Sequence, residues 1–205
     1  MRAIALHGFG SSPEKINWLV GPLRTLNLDV LVPSYKDFGD GLNKVNEIVR
    51  SSSDYFIVAG HSMGGTIALL TASTMERINC AISVSGPTDR WAQVRWLSEG
   101  EPGSIRRRTY EELLKISSEQ VSEGFLRRTS PINYLKSGLP PMLLIHGIND
   151  ELVNIQQVES YYEKAKSLGN TIELVRIEGM SHTPRGKDIK VIARVIEEFI
   201  RRYCF

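Results

Sequence analysis

A chain of 205 residues has the length of one domain with a sizeable core. Its 41% hydrophobic and 23% charged residues are ordinary for a globule, and a formal net charge of +2 gives no electrostatic basis for nucleic-acid binding. No apolar run approaches the ~18 residues of a membrane span.

Arg2 to Leu6 reads as a strand at once, without the regions of a secretory leader, so the cytoplasm is the expected compartment. A loop His7-Gly8-Phe9-Gly10-Ser11-Ser12 follows, and Ser12-Pro13 has the form of a helix start. Between Pro13 and Leu26, Pro22 is expected to kink or break any helix. Further strands are predicted at Leu28 to Val32, Tyr55 to Ala59, Cys80 to Val84, Met142 to Ile145 and Thr171 to Ile177. Most lack polar alternation, as buried parallel strands do. Helical spacing recurs between them: Leu42, Val45, Ile48 and Val49; the apolar run Ala68 to Met75; Ile155 to Leu168 after a capping-box-like Asn154 and Gln157; and Ile189 to Ile200. This alternation predicts an α/β domain with a mainly parallel sheet of about six strands and helices on both faces.

Pro87 to Pro131 breaks the rhythm. It holds no convincing strand, and Thr109 with Glu112 suggests a capping box opening a short helix through Ile116. The segment reads as a helical lid, 87–131, inserted in a single domain, 1–205, with Trp91 and Trp96 as the expected substrate contacts. Arg106-Arg107-Arg108 reads as a solvated turn, because the insertion's charges are mixed. Cys80 lies in an apolar run and Cys204 beside the C-terminus. They form no thiol motif, and no structural disulfide is expected.

The chemistry centres on Gly60-His61-Ser62-Met63-Gly64, a G-x-S-x-G between a strand and a helix. Such a turn lifts the Ser62 hydroxyl clear of the sheet edge and aims a helix N-terminus at an oxyanion. A serine needs a base, and the base an orienting carboxylate, in the chain order Ser, acid, His. Of the four histidines only His182 follows both; His7 precedes the serine, His61 sits inside the turn with its side chain expected to point away from Ser62, and His146 precedes the acid. Asp150, just past a strand's C-terminal end, is the expected acid, with Asp89 after the preceding strand as its rival and Glu151 a weaker one. The oxyanion donors are expected to be the N–H groups of Met63 and Phe9.

These motifs, His7-Gly8-Phe9-Gly10, Gly60 to Gly64, Asp150 after His146-Gly147, and His182, resemble the α/β-hydrolases in order and across nearly the whole chain. The stretch from Ser130-Pro131-Ile132-Asn133-Tyr134 through Asp150 to His182 resembles the catalytic domain of prolyl-oligopeptidase-like hydrolases, and the opening resembles small single-domain esterases. The resemblance implies acyl transfer to water through an acyl-serine, with no metal or organic cofactor. Two features depart from it: the two leading antiparallel strands of the full fold and the propeller that gates oligopeptidases are not found. A carboxylesterase acting on a small-molecule acyl ester is therefore the expected function. A small peptidase or amidase, and a non-catalytic ligand-binding protein of the same fold, are the alternatives.

Overall fold

Six strands carry the core: β1 (Arg2–Leu6), β2 (Asp29–Leu31), β3 (Phe56–His61), β4 (Ile78–Val84), β5 (Met142–Gly147) and β6 (Ile172–Ile177). The structure is a computed structural model that describes residues 1–116 and 118–205. The strands form one sheet in the order β2-β1-β3-β4-β5-β6, and every neighbouring pair is parallel. Their side chains alternate between two hydrophobic clusters. Ala3, Ala5, Ile57, Ala59, Ile82 and Val84 face one; Ile4, Leu6, Phe56 and Val58 face the other. A sheet buried on both faces needs apolar residues at both parities, which is why these strands lack polar alternation.

Helices α1 (Asn17–Thr25) and α8 (Lys187–Tyr203) cover the first face, through Leu19, Leu23, Ile192, Ile196 and Phe199. Helices α2 (Phe38–Arg50), α3 (Met63–Thr74) and α7 (Ile155–Ser167) cover the second, through Val45, Ile67, Leu69, Val158 and Tyr161. α3 is buried from Gly64 to Ser73; two of its hydroxyls are satisfied within the helix, Thr71 Oγ1 donating to the Ile67 carbonyl at 2.7 Å and Ser73 Oγ to Leu69 at 2.8 Å, while Thr66 Oγ1 donates to the Pro87 carbonyl at 2.7 Å. Between β4 and β5 stand α4 (Arg90–Ser98), α5 (Ile105–Leu114), α6 (Glu123–Arg128) and a 3-10 turn, Pro131–Tyr134.

Several local expectations change. Pro22 does not break α1; it lies inside the helix, buried, after a 3-10 turn over Pro13–Ile16. It forgoes one backbone hydrogen bond and gains core contact instead. Ser12 precedes that turn without a side-chain cap. α5 starts earlier than Thr109, because Ser104 Oγ accepts from the Arg107 N–H at 3.2 Å, while the Thr109 hydroxyl bonds back to Ile105 inside the helix. The three arginines are therefore helical rather than a solvated turn. The Arg106 guanidinium stacks 3.9 Å over the Trp96 ring and donates to the Trp96 carbonyl, and Arg107 Nη1 donates to the Ser98 carbonyl at 3.0 Å. They fasten α5 to the free carbonyls at the end of α4.

The expectation of two free thiols is overturned as well. Cys80 on β4 and Cys204, just past α8, are joined in a disulfide with Cα atoms 5.7 Å apart. α8 runs back along the sheet and sets its last turn against β4, a proximity that a separation of 124 residues conceals.

Candidate active site

The sheet gathers the site at its C-terminal edge. β3 ends at His61 and α3 begins at Met63, so Ser62 alone turns the chain, at φ 55° and ψ −122°. A non-glycine residue held there costs about 1–3 kcal/mol and persists only when its surroundings fix it. They do: the Ser62 N–H donates to the Val84 carbonyl at 2.8 Å, and the Ser62 carbonyl accepts from Thr66 at 3.1 Å. The flanking glycines are steric necessities. A Cβ on Gly60 would lie 2.1 Å from the Gly64 carbonyl carbon, and one on Gly64 would lie 2.4 Å from the Leu6 oxygen.

His182 comes from the loop after β6, and Asp150 from the loop after β5. His182 Nε2 lies 2.9 Å from Ser62 Oγ, and His182 Nδ1 lies 3.0 Å and 3.1 Å from the Asp150 oxygens. A carboxylate can only accept, so in the neutral ring Nδ1 carries the hydrogen and Nε2 is left to accept the serine proton. The Asp150 side chain is fully buried, and its Oδ1 accepts from the Leu152 and Val153 N–H groups, both at 2.9 Å. Burial alone would raise this carboxyl. The hydrogen bond and charge of His182, with His146 and the Leu152 N–H, outweigh it and hold the carboxyl below its ordinary value. The rivals lie elsewhere. Asp89 caps α4, accepting from Ala92 at 3.0 Å, and Glu151 accepts from the His182 backbone N–H at 3.4 Å.

Two supporting histidines escaped the sequence reading. His61 is buried and donates from Nε2 to the His182 carbonyl at 2.9 Å, so the residue beside the serine holds the backbone of the base loop. Burial, then the nearby His182 ring, push the His61 pKa down to about 4, which keeps it neutral. His146 donates from Nε2 to the Val153 carbonyl at 3.0 Å and lies 3.3 Å from Asp150 Oδ2, bracing the acid loop; burial lowers its pKa too. The acid and base loops are also tied to each other. The Asn149 N–H donates to the Met180 carbonyl at 3.2 Å, and a Cβ on Gly147 would stand 2.1 Å from that same oxygen. The sequence held one signal of this, the glycine placed between His146 and Asp150.

Ser62 and His182 open on a cavity of about 810 Å³, lined also by Phe9, Met63 and Trp18. Met63 is the first residue of α3, so its N–H has no carbonyl one turn earlier to bond. The insertion supplies much of the remaining wall, including Arg90, Gln93, Val94, Leu97, Leu113 and Leu126. Trp91 and Trp96 are not in that wall. Their rings take Arg127 and Arg106 guanidinium groups instead, on α4 faces offset from Val94 and Leu97. The cavity-lining tryptophan is Trp18, outside the insertion. Among the described residues no group of three or more His, Cys, Asp or Glu side chains is placed to share a metal ion, and no helix is long and apolar enough to cross a membrane.

The model of the prolyl oligopeptidase family matches residues 25–204. The chain belongs to this family. Among solved structures, it superposes on the esterase Est2 of the planctomycete Thermogutta terrifontis with butyrate bound, at a TM-score of 0.72 and 20% identity, over 98% of this chain and 83% of that one. The same esterase phosphonylated by sarin matches with a TM-score of 0.76 at 20% identity over the same shares. The Pyrococcus furiosus esterase Pf2001 matches at 0.72 and 21% identity, over 100% of this chain and 83% of that one. Comparison with curated proteins returned no match. At these identities the likeness is one of fold. With the family match it bears out the α/β-hydrolase architecture expected from the nucleophile turn, the acid and the histidine.

Proposed function

We propose that this member of the prolyl oligopeptidase family is a serine hydrolase that cleaves carboxylic esters of small to medium acyl chains. The observation that carries the reading is the continuous hydrogen-bonded line from Ser62 Oγ through His182 to buried Asp150, opening on one cavity. In this reading Ser62 Oγ attacks the ester carbonyl as His182 Nε2 takes its proton, and Asp150 stabilises the imidazolium. The N–H groups of Met63 and Phe9 receive the oxyanion. The C–O bond to the alcohol breaks, and His182 protonates the departing oxygen. Water, deprotonated by His182, then attacks the acyl-serine; the acid leaves and Ser62 recovers its proton. Residues 1–205 act as one domain, with 87–131 as a lid over the acyl group.

The Thermogutta esterase is seen with butyrate and with propionate, which favours short acyl chains here. The family itself keeps a peptidase or amidase as the second reading. The cytoplasm remains the proposed compartment, and the Cys80–Cys204 disulfide, a bond rare in reducing compartments, is the observation that weighs against it.

The test is turnover of nitrophenyl esters of graded chain length beside amino-acid anilides. Esters should be cleaved and anilides scarcely. Ser62→Ala should lose roughly 10⁴-fold or more in kcat. Asp150→Asn should lose about 10⁴-fold, while Asp89→Asn keeps most activity. An active Ser62→Ala protein would refute the assignment, and faster anilide cleavage would install the peptidase reading.

A further inference from the structure

The cavity wall holds an arginine with unused donors. Arg90 opens α4, half-buried, with its backbone N–H on Ser130 Oγ at 2.8 Å and its Nη1 on Thr129 Oγ1. The guanidinium carbon stands 3.7 Å from the Phe38 ring centre and 5.3 Å from that of Phe125. Stacking on two aromatic faces orients the guanidinium and offsets part of its lost hydration. Among the described residues no carboxylate pairs with it. Its Nε and Nη2 make no hydrogen bond to the described residues, and Arg90 lines the cavity onto which Ser62 opens. Desolvation draws the Arg90 pKa down to about 9, so the group stays charged at neutral pH.

The other charges of the cavity point the same way. Exposed Lys15 and Arg108 line its rim, also without carboxylate partners among the described residues. The one lining carboxylate, Glu112, is already engaged by Lys115 Nζ at 2.6 Å. An arginine edge of two adjacent N–H groups matches a carboxylate in two parallel hydrogen bonds, and rim cations raise the local concentration of anions.

We infer that the cavity takes substrates bearing a free carboxylate, above all hemiesters of dicarboxylic acids, with the carboxylate on the Nε–Nη2 edge of Arg90 and the ester carbonyl at Ser62. The inference rests on the ester-hydrolase reading for its reaction, but not for its binding site. Hydrolysis leaves the second carboxylate untouched and releases the alcohol and the dicarboxylic acid.

The experiment compares monoethyl succinate, glutarate and adipate with ethyl butyrate, valerate and hexanoate, following acid release at constant pH. In at least one matched pair the charged ester should have about 10-fold higher kcat/KM at low salt. That ratio should fall as salt rises, shrink in Arg90→Lys and collapse in Arg90→Met. The lysine variant, which keeps the charge but not the fork, decides the matter if Arg90→Met does not fold. Cleavage of both series without preference for the charged member overturns the inference and leaves the ester reading standing. If neither is cleaved, the ester reading fails. Calorimetric titration of the folded protein with monoethyl glutarate then decides the site alone: binding lost in the Arg90 variants upholds it, and no binding overturns it. Cleavage of an N-acetyl dipeptide in place of the hemiesters upholds the carboxylate site and moves the reaction to the peptidase reading.

Discussion

His61 shows how a residue beside the nucleophile can work through the backbone of another. Its Nε2–H fixes the His182 carbonyl at 2.9 Å, and so the loop from which the imidazole projects. Burial and the neighbouring His182 ring hold its pKa down at about 4, against an ordinary 6.5. Between those values the unfolded chain binds the proton and the native protein does not, so stability is complete above about pH 6.5 and declines as the pH falls toward 4. At about pH 4.5 the loss attributable to His61 is roughly 2–3 kcal/mol. His61→Gln keeps an N–H donor and does not titrate. Urea unfolding near pH 7 and near pH 4.5 should therefore show a smaller decline for the variant than for the parent protein. An equal decline would mean that His61 is not buried in its neutral form. Asp150 and His146 carry lowered pKa values as well, which is why the difference between the two proteins is the quantity to read. The chain order picked out Ser62, Asp150 and His182, and the structure brings those three together, because strand ends and short loops carry that order in plain view. The duty of His61 was illegible because its partner is a backbone oxygen 121 residues away, and no side-chain type announces a carbonyl.

Secondary-structure elements were legible where burial dictates composition, and much less so where a cap or a single side chain decides. β1, β3, β4 and β5 are mostly apolar and almost wholly buried, and the strand reading found each of them. In the insertion, Ser104 rather than Thr109 opens α5, since both positions offer a hydroxyl at a plausible distance from the helix and only the fold chooses between them. Gln157 makes the same point. Its spacing from Asn154 suggested a capping box, but Asn154 caps α7 alone, through the Gln156 N–H at 2.9 Å. The Gln157 Oε1 instead accepts from the N–H groups of Thr88 and Asp89, both at 3.1 Å, and its Nε2 donates to Gln93 at 2.6 Å. Gln93 in turn donates to the Leu152 carbonyl at 2.6 Å, so one glutamine pair ties the base of α4 to the acid loop. Gln157→Leu strands two backbone donors and should cost about 1–3 kcal/mol for each that stays dry. Hydrogen exchange should then quicken in α4 and α5, where α5 has no buried residue of its own, and leave α3 protected. Equal acceleration in α3 would show that the glutamine holds the whole domain rather than the insertion.

At the scale of the molecule, the disulfide closes the fold on itself. It joins β4, in the middle of the sheet, to the end of the last helix, and encloses a separation of 124 residues. In the chain-entropy account a loop of this size confers about 4–5 kcal/mol by restricting the unfolded chain. α8 is already anchored through Ile192, Ile196, Phe199 and Ile200, so the bond adds to an existing interface and the native fold should survive without it. Cys204→Ser should therefore fold, and should keep its turnover at 25 °C, because neither cysteine lines the cavity. Its Tm should fall by roughly 8–20 °C, given about 2–4 °C per kcal/mol for a domain of this length. Reductant should lower the Tm of the parent protein toward that of the variant only when present through unfolding and refolding, because both half-cystines are buried in the native state. Calorimetric melts of the two proteins, with and without reductant, separate the possibilities. Coincident melts under oxidising conditions would mean that the bond contributes nothing beyond the packing of α8. A variant that fails to fold would mean that α8 depends on the bond for its place against the sheet.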